Sequence, residues 1–138
     1  SNCSSLTTIS IPSSVTSLSF EMFANCTSLK QVTIPSSVTS IYYHAFYNCA
    51  SLAEITIPSS VKTIGNNSFS KCILLTQITL PSSVTSIGDY AFSECTSLTQ
   101  ITVPSSVKSI GQQAFYKCNK LDRTLRKQLK DRYTLSIF

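Results

Sequence analysis

Leu80 to Phe92 reads LPSSVTSIGDYAF, and one 23-residue step later Val103 to Phe115 reads VPSSVKSIGQQAF. The same step runs along most of the chain. Cys3, Cys26, Cys49, Cys72, Cys95 and Cys118 keep it, as do Pro12, Pro35, Pro58, Pro81 and Pro104. Phe23, Phe46, Phe69, Phe92 and Phe115 keep it too, with no insertion or deletion. Strict periodicity of this kind predicts a solenoid, in which each repeat forms one coil and the coils stack on one another. The apolar columns then become ladders along the axis, and stacking buries what one coil alone would expose.

Within the unit, segments such as LKQVTI and LTQITV end in an in-out-in alternation, which predicts a short strand. Strands of successive coils should pair in parallel, about 4.8 Å apart. The proline that follows has no N–H and restricts the residue before it, so PSS reads as a turn. VxxI is a second extended piece, and xxAFxxC is expected to be a short helical or 3₁₀ turn that drives Phe inward. Gly65, Gly88 and Gly111 are expected to take a backbone angle that other residues resist. Ser19 and Tyr42 hold that column in the first two coils, which are expected to bend differently there.

Of the 138 residues, 42% are apolar and 12% charged, which excludes a disordered chain. No run is long enough for a membrane span, and the first residues have neither the basic start nor the apolar core of a signal peptide. The net charge of +5 is uneven. The body through Cys118 is nearly neutral, whereas Asn119 to Phe138 carries six basic residues against two Asp.

IPSSV, SIG and AFxxC, recurring once per repeat, resemble the BspA-like leucine-rich repeats, a family of surface-exposed proteins of bacteria and anaerobic protists. The resemblance covers Cys3 to Leu121. It implies a leucine-rich-repeat horseshoe, a right-handed coil with a parallel β-sheet on the concave face and short strands and turns on the other side. It also implies a cell-surface or extracellular location and adhesion to host, matrix or cell-surface proteins. Where the commonest leucine-rich pattern has Asn, this chain has Ser14, Ser37, Ser60, Ser83 and Ser106. A hydroxyl column there is expected to bond turn backbone as an Asn ladder does.

The six cysteines invite a disulfide framework. In-register ladder residues point the same way, however, whereas a disulfide needs converging Cβ vectors, so six buried free thiols are expected. No short C-x₂₋₄-C pair suggests zinc, and neither metal nor organic cofactor is expected. His44 shares its column with Glu21, Asn67, Tyr90 and Gln113, the mark of a variable surface position rather than a catalytic or metal-binding one. Abundant Ser and Thr make no nucleophile without a base beside them, so no catalytic residue is assigned and the chain is read as non-enzymatic. Asn2-Cys3-Ser4, Asn25-Cys26-Thr27 and Asn66-Asn67-Ser68 match the glycosylation acceptor pattern, matches that a Ser/Thr-rich chain produces readily.

Two outward columns of the first strand are expected to pave the inner, concave face and are the candidate protein-binding surface: Gln31, Glu54, Gln77 and Gln100 beside Thr33, Thr56, Thr79 and Thr102. Threonine is also simply a good exposed strand residue. A flat Thr array for ice binding fits poorly with curvature and a Gln/Glu column.

The last segment, 122–138, reads as a cap on the 1–121 solenoid of about five repeats. Leu121, Leu125 and Leu129 form one helical stripe, and Asp122 is placed to cap the helix N-terminus. Arg123, Arg126, Lys127 and Lys130 form a candidate face for an anionic partner. Nucleic acid fits least, since no stacking aromatics are interleaved with the basic residues. The sequence thus points to a macromolecule-binding repeat protein with a protein ligand. The alternative is a structural module that dimerises through an uncapped N-terminal end.

Overall fold

The computed structural model describes residues 3–138, the side chain of Leu135 excepted; Asn2 of the first glycosylation match lies outside them. The chain is a parallel-strand solenoid closed by one helix. Each coil has two short strands. The first strands are β1 (Thr8–Ser10), β3 (Gln31–Thr33), β6 (Gln77–Thr79) and β8 (Gln100–Thr102). The second strands are β2 (Ser17–Leu18), β4 (Ser40–Ile41), β5 (Thr63–Ile64), β7 (Ser86–Ile87) and β9 (Ser109–Ile110). The second strands form one continuous five-stranded parallel sheet, each pairing with the equivalent strand of the adjacent coil. The PSS segment turns as expected: Val38, Val61, Val84 and Val107 N–H groups donate to the carbonyls of Pro35, Pro58, Pro81 and Pro104.

The columns between these strands fill the interior. Phe46, Phe69, Phe92 and Phe115 are fully buried, as are Leu29, Leu52, Leu75 and Leu98. The phenyl rings stack along the axis, with centroids 5.3 Å apart for Phe46–Phe69, 5.4 Å for Phe69–Phe92 and 5.7 Å for Phe92–Phe115. An unbroken repeat step is what permits this, because every ring meets an identical neighbour above and below.

The Phe segment is not the helical or 3₁₀ turn expected. N–H donors alternate between the segment and the next coil: Ala45 and Tyr47 bond back to Tyr42 and His44, whereas Phe46 and Asn48 bond forward to Ser68 and Ser70. Sharing donors between coils precludes a helix. It also demands positive φ at two positions per coil, including Glu21, His44, Asn67, Tyr90 and Gln113 in one column. None of these is glycine.

The glycines serve another purpose, correcting the expectation of an unusual backbone angle, because none has positive φ. A Cβ on Gly88 would lie 2.6 Å from the Asn66 backbone nitrogen, and one on Gly65 2.8 Å from the Ile41 carbonyl oxygen. Glycine here allows one coil to approach the next. Tyr42, which holds the same column, keeps the same coil-to-coil bond: its N–H donates to Leu18 at 2.9 Å, as Gly65 donates to Ile41 at 2.8 Å.

The serine column behaves as the leucine-rich comparison suggested. Oγ of Ser37, Ser60, Ser83 and Ser106 donates to the carbonyl of Val15, Val38, Val61 and Val84 in the preceding coil, at 2.6–2.7 Å. Each half-buried bond should contribute about 1 kcal/mol. Replacing Ser60 and Ser83 together with Ala is therefore expected to remove about 2 kcal/mol, read by urea unfolding. An unchanged midpoint would show that water replaces the hydroxyls.

The cysteines divide. Cys49, Cys72, Cys95 and Cys118 are buried free thiols as expected. Each donates to the carbonyl of the Phe 26 residues earlier, at 3.0–3.3 Å. Cys3 and Cys26 instead form a disulfide, with Cα atoms 4.7 Å apart, which corrects the expectation of six free thiols. That separation lies within the disulfide range of about 4.4–6.8 Å, so coil stacking alone brings like positions close enough to bond.

The helix α1 (Arg123–Arg132) begins at Asp122, whose Oδ1 accepts from the Leu125 N–H at 3.0 Å. Leu121 and Leu129 are buried and Leu125 packs against the core, so the stripe covers the last coil. The chain then returns to the repeat register. Phe138 lies one further repeat step beyond Phe115 and packs on it at 5.8 Å, and the Phe115 N–H donates to the Ile137 carbonyl at 2.7 Å. The helix therefore replaces the strands of one more coil while the Phe segment is kept.

Candidate functional site

The first-strand face presents the two polar columns in register. Gln31 and Thr33 pair with Thr8 and Ser10, and Gln77 and Thr79 pair with Gln100 and Thr102. All eight candidate side chains are exposed, and Ile55, Ile78 and Ile101 between them point into the core. Glu54 is the single charged side chain in these columns.

This sheet is interrupted at the third coil, which the sequence did not suggest. Among the described residues, the backbone of Ile55, Thr56 and Ile57 makes no hydrogen bond to either neighbouring coil, and first-strand pairing splits into β1–β3 and β6–β8. Side-chain bonds still link adjacent coils beside the break. Thr76 Oγ1 donates to the Ala53 carbonyl at 3.4 Å and Thr99 Oγ1 to the Thr76 carbonyl at 3.1 Å. An open groove of about 510 Å³ lies over the break, lined among others by Gln31, Glu54, Thr56, Gln77 and Thr79.

The basic face of α1 is divided by its own tail. The Arg126 guanidinium lies 4.2 Å from the Phe138 ring centroid and the Lys130 ammonium 5.5 Å from it. Arg126 also reaches the Cys118 carbonyl at 3.5 Å. Arg123 and Lys127 remain exposed. Arg132 is engaged too, its Nη2 3.0 Å from the Ser105 carbonyl, beside the Tyr133 hydroxyl on Val107 at 3.0 Å.

His44 lies in a stack that its sequence column did not suggest. Its ring is 3.7 Å from Tyr43 and 4.6 Å from Tyr47, and its Nδ1 is 3.5 Å from Glu21 Oε1. Lys71 lies 5.5 Å over the Tyr47 ring, and the Tyr47 hydroxyl, with help from Glu94, raises its pKa. Among the described residues, no three His, Cys, Asp or Glu side chains cluster as metal ligands, and no helix is long and apolar enough to cross a membrane.

Comparison with known proteins agrees with this geometry. No curated protein matches the chain. A leucine-rich repeat protein of T. pallidum superposes with a TM-score of 0.74 at 30% identity, covering 94% of this chain and 72% of that one. One from Bacteroides ovatus gives 0.72 at 31%, covering 97% of this chain and 42% of that one. A leucine-rich cell surface protein of Faecalibacterium prausnitzii gives 0.60 at 36%, covering 85% and 38%. The chain thus spans less than half the length of the last two. The BspA type leucine rich repeat region matches residues 1–122 in six copies, and the chain belongs to that family.

Proposed function

We propose that the chain is a non-enzymatic recognition module of a surface protein, that its first-strand face is the concave side, and that this face holds a protein ligand of host, matrix or cell-surface origin. The observation that carries this is the row of exposed polar side chains in two in-register columns, opening at the third coil into the 510 Å³ groove beside Glu54. A solenoid whose interior is uniform has only its surface columns to vary, and concave faces suit extended contacts. The surface location is supported by the F. prausnitzii relative, described as a cell surface protein.

The test is binding of the purified chain to a panel of purified matrix and cell-surface proteins, repeated with Thr56→Lys plus Thr79→Lys. Both threonines are exposed, so the variant should fold normally and lose at least tenfold in affinity. Unchanged binding would move the site off the concave face.

A further inference from the structure

The residues that vary most between coils lie elsewhere, at the corner between the second strand and the Phe segment. One column there reads Phe20, Tyr43, Asn66, Asp89 and Gln112; the column before it reads Ser19, Tyr42, Gly65, Gly88 and Gly111. In the first two coils this corner is aromatic. Phe20 is 70% exposed, Tyr42 46% and Tyr43 39%, unusual for side chains of this size. Phe20 lies 6.0 Å from Tyr42 and 6.1 Å from Tyr43, and the stack continues through His44 to Tyr47.

In the next three coils the corner is polar and bare. A shallow groove of about 400 Å³ runs along it, lined by the glycines with Asn66 and Asp89 beside them. Those two side chains are held by backbone. Asn66 Oδ1 accepts from the Asp89 N–H at 2.9 Å, and Asp89 Oδ1 accepts from the Gln112 N–H at 2.9 Å. Each is thereby fixed through one oxygen. The Asn66 Nδ2 donor and the Asp89 Oδ2 acceptor remain available, one coil apart. Gly65 lies directly against the Tyr42–Tyr43 backbone, so aromatic wall and polar groove are continuous.

From this juxtaposition we infer that the corner is a carbohydrate-binding site for an extended, uncharged oligosaccharide, distinct from the concave face. A pyranose has an apolar C–H face that packs on an aromatic ring, and a rim of hydroxyls that both donate and accept. The Tyr42–Tyr43 wall meets the first requirement, and the Asn66 donor with the Asp89 acceptor meets the second. The coil repeat of about 4.8 Å is close to the advance of one ring in an extended glycan, so successive sugars meet successive coils. Asp89 disfavours acidic sugars. Prior fixing of both polar groups lowers the ordering cost of binding.

The test is native gel electrophoresis of the whole chain through gels containing soluble β-glucan, xylan or galactomannan. At least one should retard the protein. Tyr43→Ala and Asn66→Asp should each weaken that retardation at least tenfold. The second variant keeps an oxygen that accepts from the Asp89 N–H but replaces the outward donor with an anionic acceptor, so its mobility is compared with that in a gel without polysaccharide. Thr56→Lys plus Thr79→Lys should leave retardation unchanged, which separates this site from the concave one. The inference is overturned if none of the three polysaccharides retards the chain, or if retardation survives either variant. It is also overturned if sedimentation shows a concentration-dependent dimer that Tyr43→Ala abolishes, since the aromatics would then form a protein interface.

Discussion

Above pH 9 the protein is expected to lose stability steeply, with an unfolding midpoint at about pH 10–11. Burial drives the shift, outweighing the backbone hydrogen bond: it pushes Cys49 and Cys118 up to about 12 and Cys72 and Cys95 well above their ordinary range. Below pH 9 the thiols are protonated in both folded and unfolded chains, so their contribution is fully present. Between pH 9 and 12 only the unfolded chain releases these protons, and stability falls by about 1.4 kcal/mol per pH unit for each thiol. Four thiols together remove about 5–6 kcal/mol per unit, against a total of about 5–15 kcal/mol for a domain.

Circular dichroism and thiolate absorbance should therefore change together. Cys72→Ala with Cys95→Ala should lower stability at pH 7 by about 2–4 kcal/mol, through lost packing and two lost thiol hydrogen bonds, and roughly halve the alkaline slope. A slope unchanged in that variant would assign the transition to tyrosine or lysine instead. Denatured protein should show four reactive thiols before reduction and six after it, given the Cys3–Cys26 disulfide.

The second large effect is expected at the centre of the phenyl ladder. Phe69 is fully buried and stacks on Phe46 and Phe92 at 5.3 and 5.4 Å. Phe69→Ala should cost about 3–5 kcal/mol, because the cavity has neighbours on both sides that cannot collapse along a fixed ladder. The N–H of Phe69, donated to Ala91, should lose its hydrogen-exchange protection, since each coil is held only by its neighbours. Phe138→Ala, at the end of the ladder with one stacking partner, should cost markedly less. A loss under about 1 kcal/mol at Phe69 would mean that the ladder packs loosely.

The repeat step alone determined the fold, because a ladder needs only identical residues at identical intervals. Proline turns, Phe and Leu columns, serine staples and the Asp122 cap were all readable from residue type and spacing. Phe138 keeps the period as well, one step beyond Phe115, although the helical stripe before it replaces the repeat's other columns. The candidate concave columns were legible as exposed positions, because strand alternation fixes which side chains point out.

Relations between coils were not legible. Whether Gly88 is needed for its backbone angle or for the closeness of Asn66, and whether Cys3 bonds Cys26, depends on distances across neighbouring coils. The break at Ile55–Ile57 is a loss of hydrogen bonds between coils, which residue alternation does not encode. The Phe20–Tyr42–Tyr43 cluster is scattered over two repeats of sequence and becomes one surface only when stacking brings two coils together. Periodicity specifies what every coil shares, whereas the candidate sites lie where adjacent coils differ, and only the tertiary structure places those differences side by side.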